Sequence, residues 1–216
     1  MVSAENDPRR AGTIWALNLD EPILAVTPLV DATFSQVGLE SVPALTEAMG
    51  AGKPDEALER FESGRRCYVA WVDGKLAAYG WVSFDEEFIG ELSLRLRLMP
   101  GEAYIWDCAT LFAFRQLHLY STLLTYILGE LQAEHLCRVW IGADLENLAS
   151  QRGIARAGFR HVADLVVARV FAMRLVWVEG QPGVSDYMLA DARRAFLSNR
   201  DKVWLTAVEE IKKSNS

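Results

Sequence analysis

Two stretches of the chain carry residue types at spacings that can hold an anion. In the first, Asn147 is followed by Ser150 three residues on and by Gly158-Phe159 eleven and twelve residues on. Asn is a good N-cap, and a helix start presents unpaired N–H groups and the positive end of the helix dipole. The second is Arg115-Gln116-Leu117-His118-Leu119-Tyr120-Ser121, which opens the longest apolar-periodic run. Its first-turn amides allow a local anion site there. Both stretches also have an ordinary reading as capped helices with solvated ends. Asp107, inside YIWDCATL, is a partly desolvated carboxylate that needs a partner. It is a candidate for proton transfer and equally for a structural hydrogen-bonded group.

Other chemistries are poorly served. GAGKP at 50–54 is no phosphate loop, since GxxxxGK[ST] would require Gly where Glu47 stands and Ser or Thr where Pro54 stands. There is no GxSxG, and His118, His135 and His161 have no evident nucleophile to serve. Cys67, Cys108 and Cys137 form no CxxC and have no histidine at metal-ligand spacing, so they read as free thiols, with no metal site expected.

The elements that must position these residues run as strand, loop, long helix, strand and short helix from Tyr104 to Phe159. Tyr104–Leu111 is β-prone. Tyr120, Leu124, Ile127, Leu128 and Leu131 then fall three or four apart on one helix face, and Val139, Ile141, Ala143 and Leu145 alternate as a strand should. The helix behind Asn147 ends at Gly158, where a positive φ is expected. Strand, crossover helix and strand make a parallel unit.

Upstream, residues 1–20 read as a loose leader, Pro22–Leu29 as a first strand and Asp31–Met49 as helical with a break at Pro43. Pro54 opens a helix through Phe61. Residues 67–84 form the clearest hairpin, turning at Asp73-Gly74. Leu92, Leu94, Leu96 and Leu98 alternate with polar residues as a half-exposed strand, and whether 88–98 continues the hairpin or is an insertion stays open. Residues 159–178 read as a long strand or hairpin, followed by helices at 186–197 and 200–213, the second opened by Ser198-x-x-Asp201. The expected division is a leader (1–20), one domain (21–178) and a helical C-terminal extension (179–216).

With 22 basic and 29 acidic residues the chain carries −7, which argues against a general nucleic-acid binder. The N-terminus lacks the apolar core of a signal peptide. The apolar run at 166–178 is interrupted by Arg169 and Arg174, so no membrane span is expected. The reading is a soluble cytoplasmic protein.

The Asn147, Ser150, Gly158, Phe159 pattern, the Arg115 helix start and the order of elements together resemble the GNAT superfamily of acyl-CoA-dependent N-acetyltransferases, best over about 67–172. That resemblance implies an α/β (α+β type) fold, with a mixed and mostly antiparallel sheet flanked by helices. It also implies acetyl transfer from acetyl-CoA to a primary amine of a small molecule or peptide, in a ternary complex without a metal. By the same resemblance Arg115, Gln116, Leu117, His118, Leu119, Tyr120 and Ser121 hold the pyrophosphate. The pantetheine arm lies along Cys108–Thr110, beside Asn147 and Ser150. Three positions depart from the family pattern: His118 and Tyr120 stand where it has glycines, and Ile154 stands where a tyrosine often serves as acid. The usual base position falls near Tyr104 or Trp106, with Glu102 and Asp107 the nearest carboxylates. The rival is a non-catalytic relative that binds a ligand or partner. Oligomeric state, including a homodimer, stays open.

Overall fold

The computed structural model describes residues 8–50, 55–90, 94–170 and 173–197. A parallel pair lies at its centre. Strand β7 (Glu102–Thr110) leads through helix α3 (Leu119–Ala133) into β8 (Arg138–Asp144), which pairs parallel to β7 from Glu102↔Arg138 to Ile105↔Ile141. Every other pairing in the sheet is antiparallel. The hairpin β3 (Arg66–Val72) and β4 (Lys75–Ser83) turns at Asp73 and Gly74, whose φ values of 49° and 72° are those of a primed turn. It lies beside β7, with β2 (Thr33–Val37) at the edge.

The opposite half of the sheet corrects the expected leader. Residues 9–18 form strand β1 (Arg9–Asn18), inserted between β8 and β9 (Arg160–Val170) and hydrogen-bonded to both; β10 (Met173–Gly180) completes the order β10-β9-β1-β8-β7-β4-β3-β2. Its sequence TIWALNL is apolar at successive positions because both faces are covered. Trp15, Leu17 and Leu19 enter the α3 side of the core, whereas Ile14 and Ala16 enter the other. Pro22–Leu29 is not a strand. Bracketed by Pro22 and Pro28, it crosses the α3 face as irregular chain and is tied down by Leu29 N–H donating to Leu117 O. Thr33–Val37, read as helical, is the edge strand β2, and the helix that follows is only α1 (Val42–Met49), with Pro43 in its first turn.

Helix α2 (Glu56–Glu62) packs with α1 over Trp81, Val69 and Cys67. Leu94 and Leu96 do alternate inward from strand β6 (Leu94–Arg97), which pairs with β5 (Glu86–Ile89) in a separate hairpin beside the main sheet, answering the question left open at 88–98. Helix α4 (Leu148–Arg156) follows β8, and α5 (Asp186–Phe196) covers the face opposite α3. Arg138 fastens α5 to the sheet: its guanidinium lies 2.5 Å from Asp191 and 3.6 Å from Glu102, and Arg194 reaches the same Glu102 at 2.8 Å. The expected helix at 200–213, Leu92 and Pro54 lie outside the described residues. No helix among the described residues is long and apolar enough to cross a membrane.

Candidate active site

The site follows from where the parallel pair stops. Beyond Ile105 and Ile141, β7 and β8 no longer pair. β7 also leaves the β4 ladder between Trp106 and Ala109, so Asp107 and Cys108 have no register partner on either side. Asp107 takes a left-handed φ of 41° there, the mark of a bulge. Opposite it, Gly80 makes room: a Cβ would come within 2.8 Å of Cys108 Sγ.

Three cavities meet around this divergence. A cleft of about 720 Å³ lies between the loop before α3 and the start of α4. A gap of about 240 Å³ separates the ends of β7 and β8, and a third cavity of about 460 Å³ lies on the α1–α2 and β5 side. Cleft and gap share Cys108, Tyr120, Asn147 and Ser150, whereas gap and third cavity share Ile89, Tyr104, Trp106, Asp107 and Gly142. Neighbouring cavities thus share walls where β7 and β8 separate.

The cleft collects most of the expected ligand residues: Cys108, Thr110, Arg115, Gln116, His118, Leu119, Tyr120, Ser121, Asn147 and Ser150. Leu117 is absent from the lining, because its side chain packs on the α3-side core. Gln116 and His118 both take left-handed φ, 67° and 61°, and α3 begins directly after His118. This backbone points successive first-turn amides outward, the arrangement that suits phosphate oxygens. Arg115 is anchored by donating from Nε to Thr110 O at 3.3 Å. Arg152 and Arg156 also line the cleft and were missed in the sequence. Ala149, Arg152, Gly153 and Arg156 share one face of α4 at helical spacing, and that periodicity was the available signal. The residues present therefore fit a phosphate-rich ligand.

Asn147 caps α4 as expected, its Oδ1 accepting from Ser150 N–H at 3.0 Å, and Gly158 ends the turn with φ 95°. Tyr120 is not simply core. Its hydroxyl meets Ser150 Oγ at 3.1 Å, and one edge of its ring faces Gly153, where a Cβ would fall 2.4 Å from Tyr120 Cδ1. Ile154 is fully buried in the α3-side core.

Asp107 lies outside the cleft, at the gap and third cavity. It has a charged partner: Arg60 Nη1 donates to Asp107 Oδ2 at 2.5 Å, and Arg60 Nη2 to Glu56 Oε1 at 2.8 Å. Arg60 is itself held between rings, 4.4 Å from the Trp106 centroid and 5.0 Å from that of Trp81. Oδ1 of Asp107 has no partner among the described residues. Glu102 points elsewhere, into the Arg138 and Arg194 cluster that holds α5.

In the same cavity Glu87 is buried. Burial alone would push its carboxyl up, but Arg65 at 2.7 and 3.0 Å, the Ser83 hydroxyl and the Phe88 amide hold it below its ordinary value. Trp106 Nε1 donates to Ser83 Oγ at 2.8 Å and extends this network to the wall shared by gap and third cavity. Cys108 lies in the wall shared by cleft and gap, and burial together with the neighbouring Asp107 pushes its thiol up, which disfavours the thiolate.

The model of the acetyltransferase (GNAT) family matches residues 37–159, more than half of the chain. The chain belongs to the GNAT acetyltransferase family. Solved structures share its fold. A GNAT-family acetyltransferase from Colwellia psychrerythraea is 18% identical with a TM-score of 0.53, over 82% of this chain and 58% of that one. A GCN5-related N-acetyltransferase from Sphaerobacter thermophilus is 17% identical with a TM-score of 0.53, over 72% of this chain and 50% of its own. A tandem GNAT protein from the clavulanic acid biosynthesis pathway is 20% identical with a TM-score of 0.50, over 84% and 56%. The chain thus spans between half and three-fifths of the length of these relatives. No curated protein matches it. Strand β1 lies before the family match and yet occupies the middle of the sheet, between the two strands that flank the Asn147–Phe159 segment.

Proposed function

We propose that the protein is an N-acetyltransferase that moves an acetyl group from acetyl-CoA to a primary amine by direct attack within a ternary complex. The observation that carries this reading is the row of three adjoining cavities where β7 and β8 separate. One end is a loop and helix-start cleft with three arginines, the other a cavity of carboxylates and aromatic rings.

The chain's residues divide the work by position. Amides from Leu117 to Ser121, with Arg115, Arg152 and Arg156, bind the diphosphate end, and the free edge of Cys108–Thr110 receives the pantetheine arm. When bound, acetyl-CoA supplies the activated thioester. On the far side, Trp106, Tyr104, Tyr79 and Phe88 form apolar walls, and Asp107 and Glu56 share a single cation, Arg60, so that this trio keeps one negative charge for a cationic amine. Asp107 Oδ1 orients that ammonium toward the gap, and once the ammonium has given its proton to solvent the neutral amine attacks with the advantage of fixed geometry. The protonated Cys108 thiol favours a direct reaction over a cysteine-bound intermediate. Its three unpaired cysteines fit a reducing, cytoplasmic setting.

Calorimetric titration with acetyl-CoA and with desulfo-CoA tests the reading. Micromolar binding is expected, and amines that fit the cavity then release free thiol. A protein that binds CoA but turns over no amine is the non-catalytic relative, a reading favoured by the Arg60–Asp107 ion pair. Absence of binding to either ligand overturns the proposal.

A further inference from the structure

We infer that Arg60 fixes the charge of the acceptor: the third cavity takes an amine with one positive charge and an apolar body, because Arg60 already stands where a second cation would. The inference rests on the acetyl-transfer reading above and narrows its substrate.

The charge balance is the first argument. Glu56, Arg60, Glu87 and Asp107 are the charged residues that line the cavity among those described. Glu87 is neutralised by Arg65 and spends both oxygens. Its Oε1 accepts from Arg65 Nη2 and the Phe88 amide, and its Oε2 from Arg65 Nε and the Ser83 hydroxyl. Burial, with Asp107 adding to it, pushes the Tyr79 phenol up, so that wall brings no charge. Two carboxylates and one guanidinium remain, with a single negative charge between them.

The way Arg60 is held is the second argument. Its side chain is only 11% exposed, and its terminal nitrogens serve different carboxylates, Nη1 that of Asp107 at 2.5 Å and Nη2 that of Glu56 at 2.8 Å. The guanidinium lies 4.4 Å from the Trp106 centroid and 5.0 Å from that of Trp81, and its Nε is buried without a partner. Two ion pairs and two ring contacts keep it in place when an amine enters. The entering ammonium is left Asp107 Oδ1.

Third, the rest of the wall is carbon. Met49, Phe88, Ile89 and Trp106 line it, and Trp106 spends its Nε1 on Ser83 Oγ. A second ammonium on the acceptor would lie unpaired among these side chains or be repelled by Arg60. A body rich in hydroxyls would lose its water to carbon.

Calorimetry on the CoA-saturated protein at about pH 7, where alkylamines are ammonium ions, tests the inference with three probes. Phenethylamine and para-xylylenediamine share an aromatic body and differ in charge, and glucosamine has one charge on a polar body. Wild type is expected to bind phenethylamine at least about tenfold tighter than the other two. Arg60→Met keeps an unbranched stem between the rings and frees both carboxylates. It should shift preference toward the diamine by about tenfold to a hundredfold, the range of a hydrogen bond to a charged group. Arg60→Lys restores the cation and the wild-type order. Glu56→Gln cancels the net charge and should weaken phenethylamine about tenfold. A wild type that prefers the diamine or glucosamine, or binds none of the three, overturns the inference. So does a cooperatively melting Arg60→Met protein with unchanged preference. If Arg60→Met does not fold, an unaltered phenethylamine affinity in Glu56→Gln has the same force. Thiol release from acetyl-CoA with any amine keeps the acetyl-transfer reading when the inference fails; no binding of acetyl-CoA or desulfo-CoA removes both.

Discussion

Gly153→Ala should have opposite signs in two backgrounds. On an exposed helix the change gains about 1 kcal/mol, since alanine loses less backbone entropy than glycine. Here the new methyl group would sit 2.4 Å from Tyr120 Cδ1 and 2.7 Å from Cε1, with Ser121 Oγ next at 3.6 Å. Carbon atoms pack at about 3.5–4.0 Å, so the ring must move by about 1 Å or more. Overpacking of this kind typically costs about 1–3 kcal/mol. The net change in the wild-type background is a loss of up to about 2 kcal/mol. In a Tyr120→Ala background the obstruction is gone, and the same substitution should stabilise by about 1 kcal/mol. The coupling between the two sites is then the overpacking itself, about 1–3 kcal/mol. Urea unfolding of the four proteins in the cycle measures it. A Gly153→Ala change that stabilises equally in both backgrounds would refute the packing of Tyr120 against α4, and with it the position of the hydroxyl beside Ser150.

Two further outcomes follow from the backbone. Removing residues 1–20 should prevent folding, because Ile14, Trp15, Leu17 and Leu19 are buried. At about 1.5–3 kcal/mol each they account for about 6–12 kcal/mol against a usual total of about 5–15; a truncated protein with a cooperative melt would contradict the central place of β1. His118→Gly should leave the protein equally stable or up to about 1.5 kcal/mol more stable. A left-handed residue other than glycine costs about 1–2 kcal/mol, histidine is among those that tolerate it best, and glycine returns part of the gain as unfolded-state entropy. CoA affinity should hold or improve; a loss beyond about tenfold would show that the imidazole contacts the ligand.

What the sequence disclosed is what short-range physics determines. Asp73-Gly74 encodes its own turn, and Asn147 its own cap. The apolar period from Tyr120 to Leu131 encodes a helix whatever it packs against. β1 was illegible for the converse reason. A strand covered on both faces has no alternation to read, and its partners on β8 and β9 lie at least 120 residues away in the chain. Thr33–Val37 likewise becomes a strand through pairing with Thr33↔Trp71 to Val37↔Cys67. The residues that line the cleft before α3 could be grouped from the sequence because helix starts are local objects. Those of the facing cavity could not, since Arg60 meets Asp107 across 47 residues and Arg65 meets Glu87 across 22. No spacing rule connects those pairs, so the carboxylate marked for proton transfer could be placed on β7 but not matched with the cation that occupies it.

The departures from the family pattern are linked by contact and are not scattered losses. At the first glycine position His118 still adopts the left-handed backbone that the loop needs, so the amide geometry is kept without the glycine. At the second, Tyr120 uses a position already inside α3, where a side chain is permitted, and sends its ring across to α4. The ring fits only because residue 153 is glycine. One residue on, Ile154 is buried completely and serves the core, which leaves α4 without a phenol at the site where relatives often carry one. Tyr120, on the facing helix, bonds its hydroxyl to Ser150 in the first turn of α4. Tyr120, Ser150 and Gly153 are therefore one packed unit, and a change at any of them is felt by its neighbours.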